Sequence, residues 1–216
     1  MYRGQVHVGN VTVHCHTGQR FIHKEGSTSY SPAVYIGSAM ADKRVECITK
    51  KIASYPDFPK PGIVFKDIFS VLADPPVFKD LMVIFEERIR AICPDVEIIV
   101  GLESRGFLLG TPLALALGVP FVPVRKKGKL PGELKQVSYK LEYGTDVFEA
   151  QANSVKPGQK VVIVDDLLAT GGTMKAACDL VTSLGGAVAV CFVCIELVDL
   201  KGREQLTKPC DAIVKF

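Results

Sequence analysis

The sequence predicts an α/β fold, a central and mainly parallel sheet flanked by helices. Three observations predict it. Apolar runs such as Val161 to Val164 are β-branched without polar alternation, so they read as strands covered on both faces, as in parallel sheets. These runs alternate with stretches of helical period, and a βαβ rhythm with right-handed crossovers makes a parallel sheet. The run at 161–164 also ends in a loop, "DDLLATGG", at the place where open α/β sheets put their ligands.

Each element follows in turn. From Met40 a helix carries Val45, Ile48, Ile52 and Ala53 on one side and ends before Tyr55-Pro56. The Pro-rich "YPDFPKPG" (55–62) reads as an irregular arm. A second helix covers 75–92, with Phe78, Leu81, Met82, Phe85 and Ile89 as its buried side. "EIIVGL" (97–102) is a strand, "GFLLGTPLALALG" (106–118) a helix with an early proline, and "FVPVR" (121–125) the next strand. Segment 126–150 breaks the rhythm and reads as a long hairpin-like excursion, a length that in compact domains often serves as a lid. The strand 160–164, the helix 173–184 and the strand 187–197 complete the series. In that last helix Met174, Ala177, Leu180, Val181 and Leu184 share a face, and Gly185-Gly186 stops it.

Composition narrows the function. The 216 residues suffice for one domain with a substantial core, and no apolar run reaches the length of a membrane span. Residues 1–39 stand apart: three basic residues, one acid and all four histidines (His7, His14, His16, His23) precede a Gly/Ser/Tyr-rich stretch. They read as a disordered N-terminal extension, from an upstream start, an alternative transcript or an added expression segment, with 40–216 as the domain. A mitochondrial targeting peptide is the sharper alternative for so acid-poor a segment, but the segment is also poor in arginine. "NVT" (10–12) matches a glycosylation sequon with no other sign of secretion. Residues 40–216 hold 23 basic and 22 acidic residues, which gives no support for a nucleic acid or a membrane as partner. They hold no histidine, so proton transfer there falls to carboxylate, Lys, Tyr or water. The seven cysteines are odd in number and irregular in spacing, and "CFVC" (191–194) lies inside an apolar strand. They read as buried hydrophobes in a reducing cytosol, which makes the protein cytoplasmic.

The 161–173 stretch carries the chemistry. Thr170-Gly171-Gly172-Thr173 opens a helix, where inward N–H groups and the helix dipole make a phosphate cradle. Asp165 and Asp166 repel phosphate but accept strongly from hydroxyls, so they suit a sugar diol on the same ligand. The loop therefore suggests a ribose 5-phosphate, with phosphate on 169–173 (Ala169, Thr170, Gly171, Gly172, Thr173) and hydroxyls on Asp165 and Asp166.

"VVIVDDLLATGGT" closely resembles the phosphoribosyl-pyrophosphate motif of type I phosphoribosyltransferases, and its wording resembles the adenine phosphoribosyltransferase branch. "FPKPGIVFKDI" (58–68), "GLESRGFLLG" (101–110), "VRKKGKLPG" (124–132), "YKLEYG" (139–144) and "LKGRE" (200–204) resemble the same family in the same order. The resemblance spans Met40 to the C-terminus. It implies the type I fold, with a small N-terminal hood and a flexible lid loop, and the conversion of adenine and phosphoribosyl pyrophosphate to AMP and pyrophosphate. It implies Mg²⁺ arriving with the pyrophosphate, with no direct protein ligand assigned, and a homodimer.

The resemblance also implies roles. Arg105, Arg125, Lys126, Lys129 and Tyr143 belong to the pyrophosphate side, where charge builds on the leaving group. Glu142, on the lid, serves proton transfer at the base. Val64, Phe65, Lys66 and Leu197 form the adenine slot, with Lys66 standing where the family has arginine. Two alternatives compete: a purine phosphoribosyltransferase for hypoxanthine, guanine or xanthine, and a non-catalytic phosphoribosyl-pyrophosphate sensor. The sensor predicts an added DNA-binding domain and a basic patch, which the near-neutral 40–216 segment does not offer.

Overall fold

The structure is a computed structural model that describes residues 42–140 and 145–216, together with four short strands earlier in the chain. The chain divides into two compact units, Met1–Met40 and Ala41–Phe216. In the first, β1 (Val6–His7) pairs antiparallel with β2 (Thr12–Val13), and β3 (Cys15–His16) with β4 (Gln19–Arg20).

The second unit is built on a seven-stranded sheet in the order β13-β12-β11-β7-β8-β10-β9. Its strands are β7 (Ile98–Leu102), β8 (Phe121–Lys126), β9 (Leu134–Lys140), β10 (Thr145–Gln151), β11 (Lys160–Leu168), β12 (Ala187–Glu196) and β13 (Cys210–Lys215). β13, β12, β11, β7 and β8 run parallel, and β10 and β9 add an antiparallel edge. Alternate residues divide between the two faces. Val161 and Ile163 pack with α5 (Gly172–Ser183) on one face. Val162 and Val164 pack with α1 (Lys43–Lys51), α3 (Pro75–Ile92) and α4 (Arg105–Leu117) on the other. All four valine and isoleucine side chains of 161–164 are fully buried, each worth about 1.5–3 kcal/mol relative to exposure.

The helices start where local chemistry allows. The Asp42 carboxylate accepts the Arg44 N–H at 3.0 Å and caps α1. Asp74 caps α3, whose first residues are Pro75 and Pro76, prolines being compatible with an unbonded first turn. A small antiparallel hairpin, β5 (Ala53–Pro56) with β6 (Val64–Asp67), precedes the short α2 (Phe69–Leu72).

Four differences from the sequence reading have physical causes. Ala53 leaves the first helix for β5, because β6 supplies a partner that periodicity cannot reveal. The Pro-rich arm is therefore partly a hairpin. The excursion at 126–150 is joined to the sheet: β10 pairs with β8, and Phe148 and Ala150 enter the core. The strand at 160–164 extends through both aspartates to Leu168, since β12 continues beside it as far as Glu196. β13, to which the sequence reading assigns no element, pairs along β12 from Cys191↔Cys210 onward.

Candidate active site

Strand order creates the site. From β7 the chain crosses through α4 to β8 on one side; from β11 it crosses through α5 to β12 on the other. The boundary between β7 and β11 is thus a topological switch point, where a crevice opens at the carboxyl ends of the strands. A cleft of about 530 Å³ lies there. Glu103, Ser104 and Arg105 line it from the β7–α4 turn, and Asp165 through Thr170, Gly171 and Thr173 from the β11–α5 turn. Lys126, Tyr139, Asp146 and Phe148 complete the wall from β8 and the β9–β10 hairpin.

Close packing fixes both turns. A Cβ on Gly106 would stand 2.6 Å from the Val164 carbonyl oxygen and 3.0 Å from Asp165 Oδ1, so only glycine lets the first turn of α4 rest on the end of β11. Gly171 has φ +87°, and a Cβ there would stand 2.2 Å from the Gly202 carbonyl oxygen. The "LKGRE" segment therefore buttresses the 169–173 loop from behind. α5 then starts at Gly172 with no side-chain cap, which leaves its first N–H groups for an anion.

The two aspartates differ. Asp166 is buried and paired with Arg105, Nε to Oδ2 at 2.6 Å. Asp165, half-buried, accepts the Asp166 N–H at 2.9 Å on Oδ1. Burial and the neighbouring Asp166 carboxylate push the Asp165 carboxyl well above the ordinary aspartate range.

The cations are held by carboxylates the sequence reading did not single out. Glu103 takes Arg125 by two nitrogens, Nη2 at 2.9 Å and Nε at 3.2 Å, and also accepts the Lys126 N–H. The Arg125 guanidinium, first among the causes, holds the Glu103 carboxyl below its usual range. Asp146 takes the Lys126 ammonium at 3.1 Å. Glu149 is fully buried and accepts the N–H groups of Lys129 and Leu130 and the Gln136 amide. Burial raises its carboxyl, but the donors of the 128–130 loop outweigh this and hold it below its ordinary value. Glu149 thus shapes the loop that carries the lysines. The signal for all three acids was faint, since a carboxylate at 103, 146 or 149 looks like any solvated one.

A family model, "Phosphoribosyl transferase domain", matches residues 69–216. An adenine phosphoribosyltransferase of Drosophila pseudoobscura pseudoobscura is 50% identical over 176 residues, covering 82% of this chain and 97% of that protein. The chain belongs to the adenine phosphoribosyltransferase family. The Saccharomyces cerevisiae adenine phosphoribosyltransferase, solved with an imino-altritol bisphosphate and adenine, has a TM-score of 0.78 at 43% identity, over 80% of this chain and 99% of that one. The Trypanosoma brucei enzyme, solved with AMP, pyrophosphate and ribose 5-phosphate, has a TM-score of 0.75 at 27% identity, over 82% of this chain and 81% of that one.

Against this family background, the residues singled out in the sequence fall into groups. Asp165, Asp166, Ala169, Thr170, Gly171, Thr173, Arg105 and Lys126 line one cleft, and Gly172 opens α5 beside it. Phe65 lines an adjoining hollow with Tyr55, Phe58 and Arg105, whose guanidinium carbon is 5.7 Å from the Phe65 ring centre. Arg105 is thus shared by both. Arg125, Lys129, Val64, Lys66 and Leu197 line neither. Lys66 donates to Ser54 Oγ at 3.0 Å and lies 3.9 Å from the Phe216 ring centre. Leu197 is partly buried against the α1/α3/α4 side of the core. Glu142 and Tyr143 lie outside the described residues.

Proposed function

We propose that this cleft converts adenine and 5-phosphoribosyl 1-pyrophosphate to AMP and pyrophosphate, a pentosyl transfer of purine salvage. The observation that carries the reading is the juxtaposition of Asp165 and Asp166 with the uncapped N-terminus of α5 and with Arg105. One end of the cleft offers acceptors for a diol, the other donors for a phosphate, and Arg105 stands toward the Phe65 hollow.

The roles divide by chemistry. The α5 N-terminus and 169–173 hold the 5′-phosphate. Asp165 and Asp166 accept from the ribose hydroxyls, and their charge stabilises positive charge on the ribose ring as its bond to pyrophosphate breaks. Arg105 and Lys126, together with Arg125, Lys129 and Tyr143, serve the pyrophosphate. Phe65 offers adenine an apolar face; Val64, Lys66 and Leu197, which line neither the cleft nor the Phe65 hollow, are assigned to the base by the family resemblance alone, and Glu142 takes or steadies the proton of the attacking base. Mg²⁺ would be held mainly by pyrophosphate, ribose hydroxyls and water, where it would offset the leaving group's charge.

Turnover measured with labelled adenine, hypoxanthine, guanine and xanthine tests this reading. Adenine should give AMP and one pyrophosphate, in a reaction that a chelator stops and excess Mg²⁺ restores. Turnover of another purine in preference to adenine would replace the reading, and none at all would favour the sensor.

Three broader readings accompany it. α4 turns Leu108 and Leu115 outward, the latter 79% exposed, which supports a homodimer that light scattering can test. Cys47, Cys93, Cys178, Cys191, Cys194 and Cys210 are free thiols, which supports a reducing, cytoplasmic location that fractionation can test. Residues 1–39 are dispensable for catalysis: a chain starting at Met40 should keep its Tm and kcat/KM, and a tenfold loss in rate would contradict this.

A further inference from the structure

We propose that Asp146 is a positioning residue that competes with pyrophosphate oxygens for the ammonium of Lys126. The inference rests on the reading of Lys126 as a pyrophosphate contact. Lys126 ends β8, and β10 runs antiparallel beside it, with Phe148 opposite Lys126. That register brings Asp146 Oδ2 to 3.1 Å from Lys126 Nζ on the wall of the cleft.

Asp146 does not depend on Lys126. Its Oδ1 accepts the Val147 N–H at 2.8 Å, and the Tyr139 hydroxyl donates to Oδ2 at 3.3 Å. The Asp146 side chain also keeps 22% of its surface in solvent. When Lys126 turns away, no carboxylate is left buried without a partner, so the usual penalty for breaking an ion pair is absent. Lys126 is 57% exposed and carries a point charge on a flexible stem, so it can serve either anion. Arg125 is different. Its fork is held bidentate by Glu103, and its Nη1 donates to the Lys129 carbonyl at 3.1 Å.

Lys126 is therefore an exchangeable cation on this side. Asp146 keeps it at the cleft wall and takes it back from the pyrophosphate. The carboxylate weakens pyrophosphate binding and favours its release, while fixing where the lysine waits.

The test is calorimetric titration of Mg-pyrophosphate into the full chain, with Asp146→Asn, Lys126→Ala and the double variant. Asn preserves the size of Asp146 and an acceptor for Val147. Asp146→Asn should tighten pyrophosphate binding by about twofold to fivefold, the scale of an exposed ion pair. That direction is opposite to the loosening expected from a disturbed hairpin. In the Lys126→Ala background the same change should have little effect, since the competition needs the lysine. Equal or weaker binding by Asp146→Asn, with Lys126→Ala clearly weaker than wild type, overturns the proposal and leaves the pyrophosphate reading intact. Unchanged binding by Lys126→Ala overturns both.

Discussion

The β11–α5 arm and the β8–β10 arm face each other across one cleft but are built differently. The first is contiguous: residues 161–173 supply strand, acids, loop and helix start, and Gly202 supports them from behind. The second is assembled from distant parts. Arg125 needs Glu103, Lys126 needs Asp146, and the loop after β8 needs Glu149. On the proposed reading, the contiguous arm holds the part of the substrate that stays, by backbone geometry, and the assembled arm meets the part that leaves, using side chains already engaged by carboxylates. A rigid cradle for what stays and a set of paired cations for what departs suits a transferase that must let pyrophosphate go.

The largest effect that could break this comparison belongs to Glu142. If it transfers the proton of adenine, Glu142→Gln and Glu142→Leu should both lower kcat by about 10²–10⁴-fold with phosphoribosyl-pyrophosphate affinity near wild type. Retention of kcat by the Gln variant in single-turnover measurements would reduce Glu142 to orienting the base. Next comes the cradle itself. Gly171→Ala imposes a left-handed backbone on alanine and drives its Cβ into the Gly202 carbonyl. Strain of this kind is worth about 1–3 kcal/mol, so substrate binding should weaken about tenfold or more and Tm should fall. Normal affinity in that variant would mean that the loop is not a rigid cradle.

A smaller effect separates stability from function within the first arm. A carboxyl raised in the folded state favours folding while protonated. That contribution is full below the ordinary aspartate range and is lost as pH rises through the raised value. Asp165→Asn escapes the loss. Its Tm should exceed that of wild type at pH 7 by roughly 2–4 °C for each kcal/mol of repulsion relieved. The gap should close as pH falls toward the ordinary aspartate range. A gap independent of pH, or a lower Tm at pH 7, would show that the Asp165 charge is not the source.

The same contrast explains what the sequence could tell. The cradle was legible because its parts adjoin, and because an apolar run, two acids and a glycine pair have few uses in that order. Even there the strand was read too short. The acids looked like a strand end, but Arg105 neutralises Asp166 and β12 runs on beside them. The parallel core and its helices followed from periodicity, whereas β5 and β13 depend on partner strands that no local pattern names. On the second arm the cations were visible as a basic cluster, but their carboxylates were not. Lys126 and Asp146 meet only because β8 and β10 pair.

The central claim is that the two aspartates of β11 grip the ribose during transfer, and steady-state kinetics on Asp166→Asn and Asp165→Asn test it most directly. A lost hydrogen bond to a charged group costs about 1.5–3 kcal/mol, so kcat/KM for phosphoribosyl pyrophosphate should fall about tenfold or more in each variant. The Asp165 variant should show this loss while gaining thermal stability at pH 7. A folded variant of either residue with unchanged kcat/KM for phosphoribosyl pyrophosphate would contradict the account.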